Sequence, residues 1–289
     1  MTLAQRRSTA IVAVAGMLHL GSTTANAQAA AALKPHRAVY EITLVRSSVG
    51  AGIADLTGRM VYELTGSDCA GYTQKMRMVT RTANSEGNVS VSDLRSSYFE
   101  SAADRTFRFE TENFRDKQLS DSSAGSAAVD SKPGSQSERR LRIRLSAPTS
   151  KELLIDANAL FPVEHSVKLL EAARRGERIF SADVYDGSEK GEKVFSTTAA
   201  IGQMLPAGAN ERLQAAKDST VLNALKSWPV SLSYFERDDP RDDAGPTYEL
   251  AFLFFDNGVS RRLVIDYGTF AIRGRLTTLK MLPPARCKS

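Results

Sequence analysis

Apolar and polar residues alternate through most of the chain, beginning in HRAVYEITLV. There Tyr40, Ile42 and Leu44 share one face while Glu41 and Thr43 take the other. GRMVYELTG repeats the pattern with Met60, Tyr62 and Leu64. YTQKMRMVTR sets Met76 and Met78 opposite Lys75 and Arg77, and RTFRFETENF sets Phe107 and Phe109 opposite Arg108 and Glu110. A period of two, broken by Gly, Ser and Asp, describes antiparallel strands wet on one side. TYELAFLFFDNGVSRRLVIDYGTFAIRGRLTTLKML predicts a three-stranded meander. Its Asp256-Asn257-Gly258 is the best candidate for a type I′ hairpin turn, because Asn-Gly tolerates positive φ.

Two stretches depart from that pattern. FPVEHSVKLLEAARRGE places Pro162 at a helix start, Val163, Val167 and Leu170 at helical spacing, and Gly176 as a stop. This predicts a helix from Pro162 to Arg175. NERLQAAKDSTVLNALKSW is a weaker helical candidate that ends before Pro229. DSSAGSAAVDSKPGSQSE is poor in bulky residues and reads as a mobile loop between strands. No repeat or shift in composition divides residues 28–289, so a single all-β, mostly antiparallel domain is expected there. A long row of strands leaves unpaired backbone at both ends, and curling into an open barrel or spiral removes most of that exposure.

The first residues read as an address. Arg6 and Arg7 precede an apolar run from Ala10 to Leu20, and Ala25-Asn26-Ala27 forms an A-x-A site. This predicts a signal peptide over residues 1–27, cleaved before Gln28, and a periplasmic protein. The run is too short to span a bilayer, so no membrane span is expected after cleavage. Removing those residues lowers the net charge from +5 to about +3, because two arginines and no acids leave. ERRLRIRLS alternates Arg140, Arg142 and Arg144 with Leu141, Ile143 and Leu145, a strand with one solvated face. It lacks the aromatic platforms of a nucleic-acid site, and no nucleic-acid partner is expected.

The chain holds two cysteines, Cys69 and Cys287. Two thiols in an oxidising compartment normally pair. The sequence offers no C-x-x-C, and beyond the leader only His36 and His165 could complete a metal site, so a structural bridge is expected. Such a bridge would join an early strand to the last residues and fasten the seam of a curled sheet.

Candidate chemistry is sparse. S-x-x-K, G-x-S-x-G and H-E-x-x-H are absent. GAGIAD opens like a dinucleotide loop but lacks a βαβ unit around it. ERDDPRDDAGP carries four aspartates without the ligand spacing of a calcium loop. His165 beside Glu164 could serve as a general base, or be a packed helical histidine. Trp228 before Pro229 could line a binding lip, or sit in the core. No catalytic residue, metal or cofactor is assigned, and a non-enzymatic protein is expected.

HRAVYEITL, GRMVYELTGSDCAGY, FPVEHSVKLLEAARRGE, VYDGSEKGE, the C-terminal meander and Cys287 together resemble the EipB family of periplasmic cell-envelope integrity proteins. That family was long known only as a domain of unknown function and is typical of alphaproteobacteria. Tyr72 stands where tryptophan is the commoner residue, which keeps an aromatic. The resemblance implies a β-spiral of about fourteen strands carrying a helix and similar to the LolA and LolB lipoprotein carriers. It also implies a Cys69–Cys287 disulfide and no established catalysis. A concave sheet can be filled by side chains or left hollow. Tyr40, Ile42, Leu44, Met60, Tyr62, Met76, Met78, Phe107 and Phe109 are the candidate lining residues, with Val163, Val167 and Leu170 on a lid helix. A lipid or acyl ligand, or a periplasmic protein partner, would then be bound. The alternative is an envelope-modifying enzyme acting on peptidoglycan or lipid.

Overall fold

The computed structural model describes residues 33–131, 139–156, 158–209, 217, 219–237 and 245–287. The leader and its cleavage site lie outside these residues, as does most of the ERDDPRDDAGP segment.

Fourteen strands form among the described residues: β1 (His36–Ser47), β2 (Asp55–Ser67), β3 (Gly71–Ala83), β4 (Val89–Ser101), β5 (Thr106–Arg115), β6 (Gln118–Ser131) and β7 (Arg139–Ala147), then β8 (Lys151–Asp156), β9 (Ile179–Val184), β10 (Phe195–Ile201), β11 (Ser227–Glu236), β12 (Tyr248–Phe255), β13 (Ser260–Asp266) and β14 (Phe270–Met281). A helix, α1 (Pro162–Arg175), lies between β8 and β9. The strands make one sheet in the order β8-β7-β6-β5-β4-β3-β2-β1-β14-β13-β12-β11-β10-β9. The strand partners in it are antiparallel throughout, for example Tyr40 opposite Met60 and Ile42 opposite Gly274. The expected all-β open barrel with a helix is the fold observed.

Alternation accounts for the inward faces. In β1, His36, Ala38, Tyr40 and Ile42 are buried, while Arg37, Glu41 and Thr43 are exposed. The helix starts at Pro162, which has no N–H to lose, and ends at Gly176 in the left-handed region (φ 80°).

Three sequence expectations need correction. The DSSAGSAAVDS part of the supposed mobile loop is strand β6, paired along both edges with β5 and β7. Its residues are small because bulky neighbours occupy the space above it: a Cβ on Gly125 would meet the Arg144 carbonyl at 2.5 Å and the Phe109 ring at 3.1 Å. Of the second helical candidate, residues 210–216 and 218 lie outside the described residues; the remainder forms a 3-10 turn over Thr220–Ala224 and then β11, which holds Trp228 and Pro229. At the meander hairpin only Gly258 has positive φ (87°). The Gly258 N–H bonds the Phe255 carbonyl and the Phe255 N–H bonds the Val259 carbonyl, so the turn is a three-residue loop ending on glycine, not a two-residue type I′ turn.

The disulfide joins Cys69 to Cys287 across a separation of 218 residues, with Cα atoms 5.5 Å apart. It does not fasten the free edges. The first and last strands pair in the middle of the sheet, and the free edges belong to β8 and β9. The bridge fastens the terminal junction, where the tail crosses β1 and the Ala285 N–H reaches the Gly66 carbonyl. The β9 edge is covered instead by the segment before α1: the Leu160 N–H bonds the Asp183 carbonyl and the Tyr185 N–H bonds the Leu160 carbonyl.

Candidate functional site

The helix lies inside the curl of the sheet and is fixed at both ends. Phe161 at its N-cap offers no side-chain acceptor. Glu100 of β4 substitutes from across the fold, accepting the Val163 N–H at 2.7 Å and the Glu164 N–H at 2.8 Å on its two carboxylate oxygens. These are donors that a helix start leaves unmatched. Burial raises the Glu100 carboxyl to about 7, against the opposing pull of those two N–H groups. At the other end Arg174 Nε donates to Asp256 Oδ1 at 2.7 Å, and its Nη2 donates to the Asp256 carbonyl at 3.0 Å.

Between α1 and the concave sheet is a cavity of about 380 Å³, within the size range of small-molecule sites. Tyr40, Met60, Tyr62 and Met76 form one wall. Leu232, Tyr234, Phe252 and Phe254 form another, and Pro162, His165, Ser166 and Leu169 of the helix close it. The thioether chains of Met60 and Met76 can adjust to the shape of an occupant.

Its polar groups are mostly committed. The Tyr40 hydroxyl donates to the Ser260 carbonyl at 2.7 Å, and Gln74 Nε2 donates to the Tyr62 oxygen at 3.0 Å. Burial pushes the Tyr62 hydroxyl up to about 12. His36 Nδ1 donates to the Lys34 carbonyl at 2.8 Å, and burial lowers its pKa. The Asp186 carboxylate accepts the Ser188 N–H at 2.9 Å, and burial raises its pKa.

His165 lies 3.0 Å from Thr197 Oγ1, whose own proton goes to the Ala182 carbonyl at 2.7 Å. A hydroxyl has one proton to give, so His165 Nε2 must be the donor. Burial lowers the His165 pKa to about 4, which keeps the ring neutral. Because Nε2 already carries the proton it donates, it cannot take one from Thr197, and this contact is a helix-to-sheet tie. No group of three or more His, Cys, Asp or Glu that could hold a metal ion occurs among the described residues.

Four of the nine strand residues expected to line a cavity do so: Tyr40, Met60, Tyr62 and Met76. Ile42, Leu44 and Met78 lie farther along the same faces, packed with Leu56, Ile272 and Leu276. Phe107 and Phe109 fill a separate cluster with Phe161 and Tyr185. On the helix, Val163 and Leu170 are buried beside Trp228 and Ala173, and half-buried Val167 packs against the same group. The cavity sees the adjacent stripe, Pro162, His165, Ser166 and Leu169, because the apolar stripe is already covered by the sheet. Helical spacing groups those four as well, but the His and Ser disguise them as a polar face.

Residues 27–283 match the family model described as EipB-like. The chain belongs to this family. The Cell envelope integrity protein EipB of Brucella abortus (strain 2308) is 35% identical over 266 residues, covering 92% of this chain and 90% of that protein. A crystal structure of a beta-barrel-like protein of a domain of unknown function, also from Brucella abortus, matches with a TM-score of 0.75 at 33% identity. It covers 87% of this chain and 99% of that one. The family resemblance read from the motifs is therefore correct, and the curled sheet is shared with a solved relative.

Proposed function

We propose that this chain is a periplasmic, non-enzymatic protein that supports cell-envelope integrity by holding an elongated apolar group, such as an acyl chain, between α1 and the sheet. The observation that carries the binding reading is the cavity of about 380 Å³ beneath a helix clamped at both ends. The envelope role rests on the family and on the name of the Brucella relative. The periplasmic reading rests on the leader pattern and on the disulfide, which suits an oxidising compartment. Mass spectrometry of protein purified from the periplasm, native and after solvent extraction, should find an apolar ligand that extraction removes. Deleting the gene should sensitise cells to detergent and to cell-wall antibiotics. A bare native mass defeats the ligand reading, and an unchanged response to envelope stress defeats the envelope reading.

The alternative is an enzyme acting on peptidoglycan or lipid, and it draws on His165 and Asp186 both facing the cavity. A His165→Gln protein that folds but fails to complement the deletion would favour it.

A further inference from the structure

The convex side of the sheet carries an asymmetry that the cavity does not explain. Strands β1 to β4 and β14 are contiguous in the sheet, in the order β4-β3-β2-β1-β14. They hold ten basic and five acidic side chains, a surplus of five. Without the leader the chain carries about +3, so everything outside these strands is acidic by about two charges. One of the five acids, Glu100, is buried beneath the helix, which leaves the outer face more basic still.

Some of this charge is neutralised. Arg275 pairs with Glu41, Arg37 lies 4.0 Å from Glu63, and Asp93 is shared by Arg77 and Arg95 at 2.8 and 2.7 Å. Arg59, Lys75, Arg81, Arg273 and Lys280 are exposed and make no ion pair or hydrogen bond among the described residues. Strand spacing and rise make this face roughly 20 by 40 Å. The cations are dispersed over it and do not converge on one point, which suits an extended array of phosphates better than a single anion. Between them stand Val39, Val61 and Val79, half-buried. The aromatics at the β4 edge, Phe99 and Phe114, are covered by the Arg108 and Arg95 guanidiniums at 4.7 and 4.6 Å, so neither ring is bare for a nucleic-acid base to stack on.

We infer that this convex face docks the protein on an anionic phospholipid surface. Basic side chains near such a surface gain electrostatic attraction individually, and the attraction is screened by salt. The lipid identity draws on the envelope reading proposed above. The face itself is independent of any cavity ligand, because none of its arginines or lysines lines the cavity.

The test is co-sedimentation of the leaderless protein with phosphatidylcholine vesicles, with and without phosphatidylglycerol, at low and high salt. Wild type should bind only the anionic vesicles and be released by salt. A triple reversal, Arg59→Glu with Arg81→Glu and Arg273→Glu, should weaken binding at least about tenfold. The same number of reversals at exposed Arg115, Arg178 and Lys226, away from this face, should leave binding unchanged. Circular dichroism melting confirms that each variant is folded, and the salt dependence of wild type stands alone if the triple variant is not. The inference is overturned if wild type ignores anionic vesicles at low salt, binds neutral ones equally, or binds undiminished after the triple reversal. An empty cavity in the mass spectrum would leave this result untouched, whereas loss of vesicle binding would not bear on an acyl ligand.

Discussion

The same alternating strand pattern produces a solid region and a hollow one in this molecule. Over β5 to β7, Phe107 stacks on Phe109 and Phe161 with ring centroids 5.6 and 5.2 Å apart, and Tyr185 meets both β5 rings edge-on. The turn after β9 is pressed so closely onto this layer that a Cβ on Gly187 would lie 2.4 Å from the Phe109 ring. Over β1 to β3 the inward residues Tyr40, Met60, Tyr62 and Met76 line the cavity that Pro162, His165, Ser166 and Leu169 of the helix close. Alternation decides which side chains point inward. Whether they touch anything depends on what the rest of the chain lays over them: a tight glycine turn in one case, a clamped helix in the other.

The largest expected effect tests the solid side. Phe107 is fully buried, and Phe107→Ala should cost about 3–5 kcal/mol in denaturant unfolding. Met76→Ala on the hollow side should cost no more than about 1 kcal/mol, because a side chain facing a void has already forfeited contacts on that side. Equal losses at the two positions would erase the distinction.

Next comes the bridge. Cys69→Ser should lower the melting temperature through roughly 2–4 kcal/mol of lost constraint on the unfolded chain. Thiol titration of the denatured wild type should find no free cysteine before reduction and two after. The bridge ties the β2–β3 turn to the tail, so its loss should loosen the hollow side first. Hydrogen exchange should quicken in β2 and β3 before β5 to β7.

The helix anchors give opposing pH signatures. Burial raises Glu100 from 4.5 to about 7, so between those values the native state keeps a proton that the unfolded chain has released. Its contribution is full below pH 4.5 and is lost as pH rises through about 7. Burial lowers His165 from 6.5 to about 4, so its contribution is full above pH 6.5 and is lost as pH falls through about 4. Each shift is worth on the order of 3 kcal/mol, and in the overlapping window the two slopes oppose one another. Wild-type stability should therefore vary little between about pH 4.5 and 6.5 from these two groups. Glu100→Gln should unmask a rise with pH, and His165→Gln a fall. Parallel slopes in the two variants would refute this arrangement.

Much of the strand layout was legible in the sequence because period-two alternation is a local signal, and α1 was legible because Pro162 and Gly176 mark its ends. Strand β6 was not: QLSDSSAGSAAVDS reads as loop until the Phe109 ring and the β7 backbone are seen to leave no room for a side chain at Gly125. The wall built from Tyr40, Met60, Tyr62 and Met76 could be read from consecutive strands. Its opposite wall, Leu232, Tyr234, Phe252 and Phe254, could not, because only the β1–β14 pairing brings β11 and β12 around to face it. The basic convex face was hidden for the same reason, its arginines being divided between the two ends of the chain.

The central claim is that the space under α1 admits an apolar chain. It is tested most directly by titrating purified, solvent-extracted protein with a fluorescent fatty acid, beside a Met76→Trp variant that fills the void. Wild type should bind saturably, and the filled variant should lose at least about tenfold in affinity, or about 1.4 kcal/mol, while keeping its melting temperature. Absence of saturable binding to wild type, or equal affinity in the filled variant, would contradict the account.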